Sequence, residues 1–289
     1  MQLCFDATRF GFGLKEAIEL ASLKKVPAVE FTFEPFATTG KATALSEQEK
    51  QFLEDVARLC ADREVAVSLI KLNVLLDVSK PKTHKSFRQM ISRLAKVAGH
   101  LCCKKIAFHL KPCSDESFLL SAEGALQPVL EDLAQLDMKL LLSLSTPSAS
   151  QGLSLKKWRP LEPQEIRDLL AGCPGLCLSF SAADFAWQNI DYLQILPGLM
   201  AAIAHVEARD VEINRPLLAD SGIFGPLWWR YRRPGKGQID WRQLIEALKL
   251  YDFQGGFSIH LDDEFGGETQ SDLEDSLGAA MSLLTPLLR

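Results

Sequence analysis

Eight short apolar runs, each followed by a stretch of helical periodicity, constrain this chain more than any other feature. The strand candidates are LCFDA (3–7), AVEFTF (28–33), VAVSLIKLN (65–73), KIAFHL (105–110), KLLLSLS (139–145), LCLSFS (176–181), IAHVEA (203–208) and GFSIHL (256–261). Between them lie segments such as GLKEAIELASLKK (13–25), SEQEKQFLEDVARLCADR (46–63) and DWRQLIEALKLYD (240–252). Leu and Ala recur there at three- and four-residue spacing, as a helix burying one face requires. Strand and helix in alternation imply a parallel sheet, and eight such units are enough to close a (β/α)8 TIM barrel. The competitor is an open doubly wound sheet, which usually carries a G-x-G-x-x-G loop after an early strand. DATRFGFG (6–13) has two glycines without that order. No linker rich in Pro, Gly or Ser divides the chain, so one domain over residues 1–289 is expected. The longest irregular piece is 211–237, VEINRPLLADSGIFGPLWWRYRRPGKG, after the seventh strand. It would lie on the face where barrels keep their sites.

Composition narrows the function classes. Apolar residues make up 47 %, enough for a substantial core. A net charge of −5 argues against general nucleic-acid binding, which usually needs a basic face, but not against a small anionic substrate held by local arginines. The seven cysteines are irregularly spaced and mostly sit in apolar stretches, which reads as a reduced, cytoplasmic protein. The N-terminal MQLCFDATRFGFG lacks a basic segment followed by a long apolar one, so no signal peptide is expected. No apolar run approaches a membrane span.

In a closed barrel the chemistry sits at the carboxyl ends of the strands. That rule selects Asp6, Glu30, Lys71, His109, Ser143, Ser145, Ser181, Asp184, Glu207, Arg209, Asp210 and His260. Alternation filters the list, because only one parity faces inward. In AHVEARD it puts His205, Glu207 and Arg209 on one face and Val206, Ala208 and Asp210 on the other. Glu207 is then expected at the barrel mouth with His260, from the next strand, beside it.

HVEARDV and GKGQIDWRQLIEALKLYDFQGGFSIHLDDEF are similar to the last third of the xylose isomerase-like TIM barrels, the sugar (phosphate) isomerases and epimerases. Gly235, Gly237, Ile239, Asp240 and Trp241 match that group's Gly-x-Gly-x-Ile-Asp-Trp entry into a helix, and GLKEAIELASLKKVPAVEFTF resembles its first helix and second strand. The resemblance implies a divalent cation held by Glu, Asp, His and Glu from strands five to eight. Those positions fall on Ser143, Ser181, Glu207 and His260, and Asp184 stands where relatives place a substrate-binding His or another polar residue. Serine hydroxyls are poor ligands, and one carboxylate with one imidazole suits neither a hard cation nor a transition metal. No metal or other cofactor is expected at that site, the alternative being a shifted zinc-like set in which Asp184 and His109 join Glu207 and His260.

Two functions stay open from sequence, and with them whether the chain is an enzyme. One is proton transfer beside a carbonyl on a small sugar or sugar phosphate. Glu207 and His260 would then be catalytic, and His109, Ser143, Ser181, Asp184, Arg209 and Arg230 would bind substrate. The other is a non-catalytic barrel that binds a small molecule or a partner protein after loss of the metal ligands. Each residue also has a structural reading: Glu207 paired with Arg209, Lys71 or His260, Glu30 paired with a neighbour, His109 a satisfied polar residue. WWRYRRP (228–234) reads as tryptophans packed on the rim with solvated arginines, or as a lid in which an arginine meets a carboxylate or phosphate. No nucleic-acid or membrane partner is expected, and homo-oligomerisation is left open.

Overall fold

The computed structural model describes residues 1–11, 13–33, 44–111, 117–144, 160–226, 228–262 and 269–289. Strand and helix alternate as β1 (Gln2–Asp6), α1 (Leu14–Lys24), β2 (Ala28–Phe33), α2 (Glu47–Arg63), β3 (Ala66–Leu76), α3 (Pro81–His100), β4 (Lys105–Leu110) and α4 (Phe118–Ala134). The second half runs β5 (Lys139–Ser143), α5 (Pro163–Gly172), β6 (Leu176–Phe180), α6 (Ala182–Ala186), α7 (Tyr192–Ile195) and β7 (Ile203–Ala208). It ends with β8 (Asp210–Ile213), α8 (Arg215–Ser221), β9 (Trp229–Arg232), α9 (Trp241–Leu250), β10 (Gly256–Ile259) and α10 (Gln270–Leu288). The eight parallel strands close in the order β1-β10-β7-β6-β5-β4-β3-β2, a (β/α)8 barrel. Among the described residues no helix is long and apolar enough to cross a membrane.

The alternating pattern builds two cores. Outward side chains such as Ile106, Phe108, Leu140, Leu142, Val206 and Phe257 join the helices in one large apolar cluster. Leu69, Ala107 and Leu141, of opposite parity on β3, β4 and β5, form a small separate cluster. The next inward positions along those strands are Lys71, His109 and Ser143. The barrel is therefore plugged by apolar groups low down and turns polar one layer higher, toward the strand carboxyl ends.

Helix boundaries follow local chemistry. Ser46 accepts from the Glu49 amide and Glu49 returns the bond, a capping box that starts α2; Thr269 and Asp272 do the same for α10. Pro81 and Pro163 occupy first-turn positions of α3 and α5, where a missing N–H costs nothing. Helix α3 therefore begins five residues before SFRQMISRLAKVAGH, the segment its periodicity marks. IDYLQILPGLMAA (190–202) forms only the short α7 and a 3-10 turn at Leu196–Gly198, because Pro197 cannot continue a helix.

The piece at 211–237 is not irregular. It holds an antiparallel ribbon in which Asp210 pairs with Arg232 and Ile213 with Trp229, with α8 between the two strands. Asp210 fixes it to the barrel. Oδ1 accepts from the Val211 and Ile239 amides at 2.9 Å each, and Oδ2 from the Gly235 amide at 3.0 Å and Trp241 Nε1 at 3.1 Å. This is the physical content of the Gly-Lys-Gly-Gln-Ile-Asp-Trp run. A Cβ at Gly237 would stand 2.6 Å from the Val211 amide nitrogen, and Gly235 has φ +86°. Asp240 then caps α9 by accepting from the Gln243 amide.

Candidate functional site at the strand carboxyl ends

The polar layer is organised around two buried glutamates. Glu30, from β2, has no exposed surface. Its Oε2 lies 2.6 Å from His205 Nε2, and its Oε1 lies 2.6 Å from His260 Nε2 and 3.3 Å from Lys71 Nζ. Lys71 also donates to Asp6 Oδ2 at 2.6 Å, so one ammonium bridges two carboxylates. Burial alone would raise the Glu30 carboxyl, but Lys71, His260 and His205 together hold it well below the usual range. Burial likewise opposes the Lys71 charge, and Asp6 and Glu30 overcome it, so its pKa is raised.

Glu207, from β7, is enclosed by donors. Oε1 accepts from Ser143 Oγ at 2.8 Å and Ser179 Oγ at 2.7 Å, and Oε2 accepts from Arg209 Nη2 at 2.7 Å. Burial pushes this carboxyl up, but Arg209, then His260 and Lys71, bring it down to about 2. Arg209 Nη2 is also 3.0 Å from His260 Nδ1, and its Nε is 3.2 Å from Asp262 Oδ2. The guanidinium thus fills the space between Glu207 and His260, where the resemblance expects a metal ion.

For His260 burial favours the neutral ring, yet Glu30 outweighs it and raises the pKa to about 9. With Nε2–H turned to Glu30, the neutral ring accepts from Arg209 at Nδ1. The imidazolium instead presents Nδ1–H to Asp262 Oδ2 at 3.6 Å. Asp184, on α6, is 1 % exposed and accepts from Tyr231 Oη at 2.6 Å. Its carboxyl is pushed up to about 7, chiefly by burial and against the pull of Arg209, whose guanidinium lies 4.9 Å above the Tyr231 ring. His109 ends β4 half-buried, and burial lowers its pKa to about 4, leaving a neutral imidazole at the mouth.

Of the residues singled out from sequence, Glu207, His260, Ser143 and Arg209 meet in one network, joined by Asp6, Glu30 and Lys71. Ser181 does not join it. Its buried hydroxyl has no hydrogen-bond partner among the described residues, and Ser179, two residues earlier, takes the bond to Glu207. The register between β6 and β7 shifts at Leu178/Ser179, which sets Ser179 opposite His205. Arg230 stands apart: it donates to Glu212 Oε2 at 2.8 Å on the neighbouring ribbon strand, and Arg232 grips the same carboxylate. Arg230 has the opposite parity to Tyr231, which faces Asp184. Trp228 and Trp229 are buried, as expected of packed tryptophans, but Arg230 and Arg232 are partly buried and paired with Glu212, not solvated. Ser145 and Cys113 lie outside the described residues.

Ser179, Tyr231 and Asp262 join the site without being marked in the sequence. Only the sheet register could reveal the first, and the other two arrive from a ribbon and a loop that carry no periodic signal.

The donor set does not fit a divalent cation. Ser143 and Glu207 already bond each other, and a guanidinium stands beside them. Two further triads bring ligand atoms within 4.8 Å, namely Asp6–Glu30–His260 and Cys4–Glu30–His205. The first is threaded by the Lys71 ammonium. In the second, burial, with Glu30 adding to it, pushes the Cys4 thiol up to about 12, so it stands there as a neutral thiol.

No protein-family profile matches this sequence, and no curated protein does. Solved structures do. A xylose isomerase domain protein from Planctomyces limnophilus superimposes with a TM-score of 0.71 at 16 % identity, over 99 % of this chain and 96 % of the other. The probable 3-DHS dehydratase of petrobactin synthesis from Bacillus anthracis gives 0.71 at 15 % identity over 99 % of both chains. D-psicose 3-epimerase from Clostridium cellulolyticum H10 gives 0.70 at 11 % identity over 100 % of both. At these identities the likeness is one of fold, and the fold is that of the xylose isomerase-like TIM barrels.

Proposed function

We propose that this chain binds a small polyhydroxylated molecule at its strand carboxyl ends and carries out no metal-assisted proton transfer there. One observation carries the reading: the Arg209 guanidinium lies between Glu207 and His260, bonded to the first at 2.7 Å and 3.0 Å from the second. A divalent cation brought there would meet a fixed positive charge, and the Glu207 carboxylate already accepts three hydrogen bonds. Glu207 is also a weak base, because a carboxyl at about 2 holds its proton far too loosely near neutral pH. The groups left for a ligand are polar and mixed in sign. They are the neutral His109 ring, the partly exposed edges of Arg209 and Asp262, and the Thr8 and Thr32 hydroxyls, 2.8 Å apart. Such a rim suits hydroxyls better than a concentrated negative charge.

The test is deuterium incorporation into a panel of keto- and aldo-sugars in D2O, with EDTA or with added Mn²⁺, alongside elemental analysis of the dialysed protein. No incorporation and well under one equivalent of metal are expected. Saturation-transfer NMR should show sugar contact that Asp262→Asn weakens. Exchange that appears with Mn²⁺ and vanishes with EDTA, or one retained equivalent of metal, overturns the reading.

A metal-free proton transfer has one observation in its favour, the Asp184–Tyr231 pair, since a carboxyl at about 7 suits acid–base work at neutral pH. Exchange insensitive to EDTA and abolished by Asp184→Asn would select it. The same variant has a stability signature. The folded-state pKa lies above the unfolded value of about 3.9. The folded protein therefore binds the extra proton between about pH 4 and 7, and stability falls as pH rises through that window. Asp184→Asn removes the titration but keeps an acceptor for Tyr231. Its stability relative to wild type should rise from about pH 4 to 8 in urea melts, and a flat difference counts against the buried, protonated acid.

A further inference from the structure

Outside the barrel mouth, the turn after α6 (187–189), α8 with the loop that follows it, and the ribbon line a cavity of about 480 Å³. We propose that it is a second binding site, for a small aromatic carboxylate. Its inner wall is Trp187 and Trp228, both under 6 % exposed, with ring centroids 6.2 Å apart. Trp228 Nε1 donates to the Ile223 carbonyl at 3.0 Å, which holds the loop after α8 against the opening. Ile223 and Phe224 on that loop are 55 % and 62 % exposed, an apolar rim left open to solvent. The volume lies in the range of small-molecule sites, which are typically about 300–1,000 Å³ and apolar with a few placed polar groups.

Two polar features set the chemistry of the ligand. Among the described residues the buried Trp187 indole N–H has no hydrogen-bond partner, an arrangement proteins rarely leave standing. Arg215 is exposed at the cavity wall and forms no ion pair among the described residues. A planar guanidinium matches a carboxylate as a two-pronged donor, and the tryptophan walls match a flat ring. One cation and few donors among the described lining residues fit a monoanion better than a phosphate. The cavity is separate from the charged network of the mouth: Trp187 stacks on Trp229 at 4.6 Å, and Trp229 in turn packs edge-on to Tyr231 at 5.1 Å. The proposal is independent of what the mouth binds.

The probe is naphthalene-2-carboxylate, with 2-naphthalenemethanol as its uncharged counterpart. Both are titrated into the full chain while the indole N–H signals, assigned by single Trp→Phe substitutions, are followed by NMR. The expected result is saturable movement of the Trp187 and Trp228 signals, with the carboxylate bound about tenfold more tightly than the alcohol. Arg215→Ala, a change at an exposed position, should lower carboxylate affinity to that of the alcohol and leave the melting temperature unchanged. Phe224→Ala should weaken both ligands. Unmoved indole signals at millimolar probe, or carboxylate binding that Arg215→Ala does not alter, overturns the proposal. So does a dimer in sedimentation that Phe224→Ala dissociates, because a second copy of the chain would then be what covers the cavity.

Discussion

Replacing Arg209 with methionine is expected to destabilise the fold by about 3–5 kcal/mol, the usual consequence of removing one member of a buried ion pair. Methionine keeps much of the side-chain length and its packing on Tyr231, so the loss reports the charge. Glu207 keeps the Ser143 and Ser179 hydroxyls but loses the only cation bonded to it among the described residues, and Asp262 loses the guanidinium at 3.2 Å. Two controls separate this from simple cavity formation. In Arg209→Met/Glu207→Gln the second change removes the stranded charge, so the combined loss should fall short of the sum of the single losses by roughly 1–3 kcal/mol. The pH profile supplies the other. In wild type the Glu207 pKa is about 2, below the unfolded value of about 4.3, so its stabilisation is present above the unfolded value and is lost as pH falls toward 2. Without Arg209 the folded-state pKa rises, and that acid-side loss should flatten. Urea unfolding at several pH values reads all three effects. A single-variant loss below about 1 kcal/mol would sink the assignment of Arg209 as the cation of the site.

The same residue shows what could be read before the structure. Periodicity alone carried the barrel, because a two-residue alternation and a 3.6-residue repeat are local signals: AVEFTF, KIAFHL and IAHVEA match β2, β4 and β7 residue for residue. Parity also brought Glu207 and Arg209 inward. What parity could not supply was pairing. Whether Glu207 faces a metal, a substrate or an arginine depends on side chains from β5, β6 and β7 whose registers are set by the sheet. The shift at Leu178/Ser179 exchanges Ser179 for Ser181 without any mark in LCLSFS. The ribbon was hidden for a different reason. VEI and WRYR are too short to show a period, and their pairing across α8 is non-local. Arg230 therefore looked available for a ligand, whereas the adjacent strand places Glu212 directly across from it.

The second large effect concerns Lys71, whose ammonium joins Asp6 at 2.6 Å and Glu30 at 3.3 Å. Lys71→Met should also cost about 3–5 kcal/mol near neutral pH. It leaves Asp6 with the Thr8 amide and hydroxyl and Glu30 with the His260 and His205 rings, no lysine joining the two, and Glu30 has no exposed surface over which water could screen it. The pH dependence has a definite sign. Lys71 has a raised pKa in the folded state, so its contribution is fully present below the unfolded lysine value of about 10.4 and is lost only above it. Glu30, held low in wild type, contributes stability above the unfolded glutamate value of about 4.3 and loses it as pH falls further. Removing Lys71 raises the folded-state carboxyl pKa, so the variant takes up a proton more readily and loses less on acidification. The gap between variant and wild type should therefore be constant from about pH 6 to 9 and narrow below about pH 5. Lys71→Met/Glu30→Gln should recover part of the loss at neutral pH, because an amide needs no counter-charge. A gap that stays constant down to pH 4, or a double variant no better than the sum of the singles, would mean that Lys71 acts through the packing of its stem and not through its charge.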